Sequence, residues 1–315
     1  MGKKFWNVIG GEIDSDVVNK ANRQVRNDFL YYQKHPNVIV RQFLIAIGII
    51  LVATPTELYI LTTLPKDVSD AIWWVIVGIF MLLLYVAMYI IKHAISTKNE
   101  AINILLAEKN GWIFDKHLNF ESKKTLENHF PFLSRGEGRY VSNQFFGQTI
   151  IENMPVNFWA AKLDFSVGRG KMKTYKNATL FAFQIPKKTE NPFHIFEEFE
   201  LSVLRKKDFE VESVDFNNTF AIRYSKGNKE AESEIVRILT PGIQQELLDC
   251  AKKYGQFGVG FFEDTVLFST ESHALANFFP HPFSDFVIDP AAEKLLNKQM
   301  EDLFSVAGKI FKFVD

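Results

Sequence analysis

The sequence predicts an α+β protein, in which an N-terminal transmembrane helical hairpin precedes a cytosolic antiparallel-sheet domain with packed helices. Two long apolar segments lie near the N-terminus, at residues 38–64 and 71–92. Runs that alternate between apolar and polar residues follow in the middle of the chain, separated by glycines, which is typical of antiparallel strands. Two later segments carry apolar residues at helical spacing, so we expect helices to pack on that sheet.

The second apolar segment is the stronger candidate for a membrane span. Residues 71–91 contain no charged side chain, and a bilayer core needs about 20 such residues in a helix. Trp73 and Trp74 open the segment, and Lys92 and Lys98 follow it. Aromatic residues at an interface and lysines beyond it are the expected flanks of a spanning helix.

The first apolar segment contains two unusual residues, Pro55 and Glu57. A proline is tolerated inside a spanning helix, although it kinks it. An ionised carboxylate in hydrocarbon is costly, so Glu57 is our intramembrane polar candidate. It is either a proton or ion site or a residue of the outer headgroup zone, and the second interpretation is the simpler one.

The orientation of the hairpin follows from its basic residues. The loop between the two segments holds one lysine and two aspartates, so positive charge is concentrated outside the loop. By the positive-inside rule we expect a multi-pass protein of the inner (cytoplasmic) membrane with both termini in the cytoplasm. No cleavable signal peptide is evident. The flanking basic residues are Arg23, Arg26, Lys34, Arg41, Lys92 and Lys98.

The chain divides into three parts on this interpretation. Residues 1–36 form a cytosolic arm, with an amphipathic helix at residues 14–32. Residues 38–92 hold the two transmembrane helices. Residues 93–315 form the cytosolic α+β domain, which begins as a helical stalk that stops at Asn110 and Gly111 and ends in an amphipathic helix.

Alternating residues predict the strands of this domain, and glycines predict its turns. Gly147 is expected to be a turn between two short strands. We predict strands at residues 138–146, 149–151, 158–167 and 178–185, further strands at 199–215 and 219–224, and a hairpin of 257–262 and 265–270 that turns at Glu263 and Asp264.

Two helices have clear start signals, because in each a capping residue precedes a proline at the first helical position. Thr240 and Pro241 open a helix that continues to Gly255, and Asp289 and Pro290 open the last helix of the chain. The apolar stripe of the last helix is expected to be core or a docking surface rather than part of a cofactor site.

The composition limits the classes of function. A net charge of −1 argues against nucleic acid as a partner, because phosphate binding needs a basic surface. The single cysteine, Cys250, lies on the apolar side of a predicted helix, where we expect a buried, unreactive thiol. No histidine pair has metal-ligand spacing. We therefore expect no catalytic site, no metal and no cofactor.

The best candidate for binding is a basic loop between two predicted strands. Its glycines resemble a phosphate loop, but Met172 stands where a serine or threonine is needed, and strands flank it on both sides. We therefore interpret it as a charged hairpin tip that binds anionic lipid heads or a protein partner. Its basic residues are Arg169, Lys171, Lys173 and Lys176.

Parts of the domain resemble a known bacterial family. The matching segments are residues 132–147, 162–176, 196–200, 209–215 and 238–241. Together they are similar to the membrane proteins grouped as domain-of-unknown-function 3137, over about residues 101–272. The resemblance implies a bacterial inner-membrane protein with two helices and a cytosolic α+β domain, and it supplies no catalytic residues.

The leading functional hypothesis is a membrane-anchored, non-catalytic interaction domain whose partners are membrane lipids and another protein or a second copy. One alternative is an enzyme or transport accessory, whose site would be assembled from scattered polar residues. Another is a small oligomeric channel formed around Glu57. The scattered polar residues are Asp164, Glu198, Asp215 and His273.

Overall fold

A computed structural model describes the chain at residues 35, 37–63, 70–117, 124, 126–127, 130, 133, 137–151, 153–167, 174–197, 209–224, 228–271 and 290–314. The predicted N-terminal helix at 14–32 and the loop between the apolar segments lie outside these residues. The chain forms two compact units. One unit contains the two apolar helices as far as Leu105, and the other contains the sheet and the remaining helices from Leu106 onward.

The two apolar segments form long helices, α1 (Asn37–Thr63) and α2 (Asp70–Asn110). Both are long and apolar enough to cross a membrane. Helix α2 continues without a break to Asn110, and Gly111 follows with φ of +69°. The predicted continuation of the helix to Asn110 and its stop at Gly111 are therefore confirmed. Lys98, predicted to lie just beyond the span, is only 1% exposed.

Helix α1 passes through Pro55 without interruption. Proline has no N–H, so the carbonyl of Leu51 loses its helical partner. The hydroxyls of the two neighbouring threonines donate to adjacent carbonyls: Thr54 to Ile50 at 2.8 Å and Thr56 to Val52 at 2.7 Å. These bonds keep the polar side chains satisfied within the helix, as an apolar environment requires.

The second unit is α+β, as predicted, and contains an antiparallel sheet. Its strands are β1 (Ile113–His117), β2 (Glu137–Ile151), β3 (Met154–Val167), β4 (Thr174–Glu197), β5 (Phe220–Tyr224) and β6 (Phe257–Thr270). Its helices are α3 (Val214–Thr219), α4 (Lys229–Ile238), α5 (Pro241–Tyr254) and α6 (Pro290–Val314).

Strand β6 folds back on itself at Glu263, whose φ is +49°. The backbone N–H of Glu271 donates to the carbonyl of Gln256 at 3.0 Å, and the rings of Phe257 and Phe268 lie 6.0 Å apart. A straight strand would separate those rings by roughly 36 Å. The hairpin predicted at Glu263 and Asp264 is therefore confirmed.

Strand β4 lies on both sides of this hairpin. Its first half pairs with the second half of β6, with Thr179 opposite Thr270, and its second half pairs with the first half of β6, with Phe196 opposite Gly258. Strands β3, β2 and β1 extend the sheet from the first half of β4, and β5 pairs with the second half. The structure thus joins two segments of β4 that the sequence did not link.

The predicted turn at Gly147 is wrong. Gly147 lies inside β2 and pairs with Phe158, and the strand continues to Ile151. A Cβ atom at Gly147 would lie 2.5 Å from both the Phe158 and Trp112 rings. The glycine is therefore required by close packing, and the chain turns instead at Asn153, whose φ is +66°.

Two short helices were not predicted. Residues 214–219 form α3, capped by Ser213, where we expected the end of a strand. Residues 209–215 contribute only an isolated bridge between Phe209 and Ile222. Helix α4 begins at the cap residue Asn228, whose side chain accepts from the N–H groups of Glu230 and Ala231.

Helices α5 and α6 begin as predicted, at Pro241 and Pro290, and pack together against the sheet. Phe304 of α6 contacts Phe183 of β4, with ring centroids 4.8 Å apart. The described part of the α6 stripe is core, because Leu303 is fully buried. The other face of the sheet carries a second cluster around Trp159, which also contains Leu126, Phe130 and Leu133.

Candidate functional site

Glu57 faces a groove between α1 and α2. The groove has a volume of about 550 Å³ and is lined by residues 48–60 of α1 and 76–83 of α2. Glu57 is half-buried and is the one charged residue among those that line it. The helix continues for six residues beyond Glu57 to Thr63, so the carboxylate lies within the helix rather than at its end.

The helices contact each other at the opposite end of this groove. Phe43 of α1 packs with Ala94 of α2, and Ile91 and Ile95 border that contact. Many other apolar side chains of both helices are exposed: Leu51 at 66%, for example, and Trp74 at 75%. The helix pair therefore presents an apolar exterior and a groove that contains one carboxylate.

The basic hairpin tip lies between β3 and β4, as predicted. Val167 ends β3 and pairs with Thr174, which begins β4. The candidates Arg169, Lys171 and Lys173 lie outside the described residues. Two residues after Lys173, Tyr175 is 81% exposed, which leaves a large aromatic side chain near the start of β4.

The fourth basic candidate, Lys176, forms an ion pair. Its ammonium lies 3.3 Å from the carboxylate of Glu271, and Glu271 also accepts from the backbone N–H of Gln256 at 3.4 Å. The pKa of Glu197 is raised, mainly by burial and also by the negative charge of Glu271. A hydrogen bond from the backbone of Phe257 acts in the opposite direction and lowers it. The ion pair of Lys176 therefore connects β4 to the residue that follows β6.

Asp164 and Asp215, two of the scattered polar residues considered for an enzyme site, lie on separate elements. Asp164 of β3 pairs with Lys162 at 2.9 Å, and its charge contributes, after burial, to a raised pKa of Tyr140. Asp215 is exposed in the first turn of α3. Glu198 and His273 lie outside the described residues.

An open polar cleft of about 600 Å³ lies between β4 and α4. Its central carboxylate, Glu234, accepts from the backbone and side-chain amides of Asn191 at 3.2 and 3.4 Å. Asn228 donates to the Asn191 side chain at 2.6 Å, and Arg237 lies 3.7 Å from Glu234. These bonds join the start of α4 to β4, so the polar groups hold the fold together.

A row of amides on the sheet was not predicted from the sequence. Gln148 donates to Asn157 at 3.0 Å, Asn157 to Gln184 at 2.7 Å, and Gln184 to Asp264 at 3.0 Å. The row crosses β2, β3 and β4 and ends at the β6 turn. In the sequence, these residues are visible only as polar positions within alternating strands. The pairing register of the four segments is needed to show that their side chains are neighbours.

The charged groups between α5 and α6 bind each other. Asp302 accepts from both Lys253 and Tyr254, and Lys309 pairs with Glu246. Cys250 lies on the same helix as Lys253 and is 6% exposed. Burial, and then nearby carboxylates led by Asp302, raise the pKa of the Cys250 thiol to about 12. The predicted burial of the thiol is confirmed, and the raised pKa agrees with an unreactive side chain.

Among the described residues, no group of three or more histidine, cysteine, aspartate or glutamate side chains could hold a metal ion. His194 is half-buried in β4, with its ring 6.2 Å from that of Phe130. Burial lowers the pKa of His194 to about 4, so its imidazole is neutral at physiological pH.

No protein-family model matches the chain, so its resemblance to domain-of-unknown-function 3137 remains a prediction. No curated protein matches it either. One solved structure is similar, the crystal structure of the mycobacterial trehalose monomycolate transport factor A, TtfA. It is 12% identical, with 66% of this chain and 93% of that chain covered, at a TM-score of 0.33. A likeness at that score supports no conclusion about fold or function.

Proposed function

We propose that the protein is an integral membrane protein whose two apolar helices anchor a non-catalytic interaction domain. The apolar exterior of α1 and α2 carries this proposal. Leu82 and Tyr85 of α2 are 61% and 69% exposed, and only 6% of its most apolar part is buried. The core helix of a soluble protein would be largely buried, whereas a spanning helix exposes such side chains to lipid.

The membrane is the cytoplasmic membrane, and both termini lie in the cytoplasm. The distribution of lysine and arginine around the hairpin supports this orientation. Since the domain follows the second helix, it lies on the same side as the N-terminal arm. The resemblance to domain-of-unknown-function 3137 agrees with this arrangement.

The contact surface of the domain includes the basic tip and Tyr175. The tip contains three basic residues within residues 168–173, and Tyr175 next to it is 81% exposed. An exposed tyrosine beside basic residues is a common feature of surfaces that bind proteins or anionic headgroups.

Photo-crosslinking in native membranes tests this proposal. Tyr175 is replaced by p-benzoylphenylalanine, which keeps an aromatic ring at this position, and irradiation should join the full chain to a lipid or protein. Mass spectrometry of the adduct identifies the partner class: a lipid, a second copy or another protein.

The control is the same substitution at Val236 of α4, which is 59% exposed and lies away from the tip in sequence. We expect several-fold more adduct at position 175 than at 236. Equal yields at both positions, together with a monomeric protein after purification, would rule out the tip as the contact surface.

A further inference from the structure

The groove between α1 and α2 has the dimensions of a ligand site. Its volume of about 550 Å³ lies within the range of about 300–1,000 Å³ that is typical of small-molecule pockets. Its walls are apolar apart from Thr56 and Glu57, and the hydroxyl of Thr56 is already bonded to the carbonyl of Val52. The free hydrogen-bonding capacity of the groove is therefore concentrated at Glu57.

The groove is elongated and has two different ends. The contact of Phe43 with Ala94 closes the helix pair at one end, and the groove begins five residues further along α1, at Gly48. It extends to Ile60, a helical distance of about 18 Å. Glu57 lies close to the far end, so a molecule that fits the groove has a long apolar part and a polar part at one end.

The depth of Glu57 agrees with the position of a lipid headgroup. Helix α1 has 27 residues and is about 40 Å long, whereas the hydrocarbon core of a bilayer is about 30 Å thick. Glu57 lies about 9 Å from the end of the helix at Thr63. When the helix is centred on the bilayer, this carboxylate lies roughly 4 Å inside the hydrocarbon boundary.

The charge of Glu57 selects the occupant. A carboxylate near hydrocarbon is stabilised by a cation that also donates hydrogen bonds, and none of the other residues that line the groove carries a charge. A second copy that entered the groove with two-fold symmetry would bring two Glu57 carboxylates toward one axis, where they repel. A protonated amine has the required charge and donors.

We propose that this groove binds a phospholipid with a primary amine in its headgroup. The ammonium pairs with Glu57, and one hydrocarbon chain lies along the groove toward Gly48. This inference rests on the proposed membrane span and adds to it a lipid-selective site.

Lipid analysis of the purified full chain tests the site. The protein is purified in mild detergent, incubated with equal amounts of phosphatidylethanolamine and phosphatidylglycerol, and the bound lipids are counted by native mass spectrometry. We expect wild-type protein to bind phosphatidylethanolamine at least about fivefold more than phosphatidylglycerol. Glu57→Gln, which keeps the shape but removes the charge, should reduce this ratio to near one.

Two glycines provide a matched pair of further variants. No atom lies within 4 Å of a Cβ built at Gly48 or at Gly78, but only Gly48 lines the groove. Gly48→Leu should therefore fill the groove and lower the total bound lipid, whereas Gly78→Leu should leave it unchanged.

An unchanged lipid ratio in Glu57→Gln would overturn the proposal. So would a Gly48→Leu variant that keeps its lipid but loses an oligomeric state, because the groove would then be a subunit interface. Failure of the membrane span itself would be distinguishable, since alkaline carbonate would then release the wild-type protein from membranes.

Discussion

The burial of His194 makes the stability of the folded domain depend on pH. Its pKa falls from an ordinary 6.5 to about 4 because burial disfavours the charged imidazole. Between these two values the unfolded chain binds a proton that the folded chain does not. The folded state therefore loses stability as the pH falls from about 6.5 to about 4, and His194 adds no further change below that.

We predict a loss of about 3 kcal/mol across this window from His194 alone. Denaturant unfolding of the full chain in detergent, at pH 7 and at pH 4, measures it. Carboxylates also titrate in this range, so His194→Phe provides the reference. The wild-type protein should lose clearly more stability on acidification than this variant, and parallel losses in both would contradict the prediction.

Cys250 illustrates a residue whose environment could be predicted from the sequence. Its position on the apolar side of a helix indicated burial, because its neighbours Leu247 and Tyr254 lie on the same face. The carboxylates that further raise its pKa, Asp302 above all, come from another helix or from beside it. Sequence patterns do not show such tertiary neighbours.

At the scale of elements, start and stop signals were the reliable part of the sequence. A helix begins at Thr240 and Pro241, and another ends at Asn110 and Gly111, as predicted. Such signals are reliable because capping depends on a few adjacent residues. The hairpin turn at Glu263 was similarly local. Helix α4 also carries a local signal, the cap residue Asn228, but the neighbouring charges and its short length concealed it.

The role of Gly147 was predicted wrongly because a glycine within a strand pattern has two possible structural explanations. It marks either a turn or a place where another group approaches the backbone. Here the rings of Trp112 and Phe158 approach it. Trp112 lies before β1, so this contact depends on the pairing of distant segments and could not be predicted from the strand itself.

We predict that Gly147→Ala destabilises the domain by about 1–3 kcal/mol, because the rings must move to admit the new methyl group. The control is Gly242→Ala in α5, where a Cβ meets no atom within 4 Å and a helix gains from alanine. Thermal unfolding of both full-length variants measures the difference. Equal melting temperatures for the two variants would show that the packing at Gly147 is looser than described.

At the scale of the molecule, the secondary structure and fold class could be predicted from the sequence better than the candidate functional site. Long apolar runs and alternating strands directly indicate two helices and an antiparallel sheet. The candidate site was harder to predict. Glu57 was identified from its cost in hydrocarbon, but its groove is formed by side chains of both α1 and α2, so it depends on the packing of two helices. The amide row from Gln148 to Asp264 likewise depends on sheet register.

The central claim is that the two helices cross the membrane as a hairpin and leave the domain on the cytoplasmic side. Cysteine labelling tests it well, because the chain has one native cysteine, Cys250, and its raised pKa and burial make it unreactive. Ser69→Cys places a thiol between the two apolar segments, and Ser233→Cys places one on the exposed surface of α4.

Each variant is expressed in bacterial cells and treated with a membrane-impermeant maleimide, before and after permeabilisation. The wild-type protein should stay unlabelled, Ser69→Cys should be labelled in intact cells, and Ser233→Cys only after permeabilisation. Labelling of both variants under the same condition, whether in intact cells or only in permeabilised ones, would contradict a membrane-spanning hairpin.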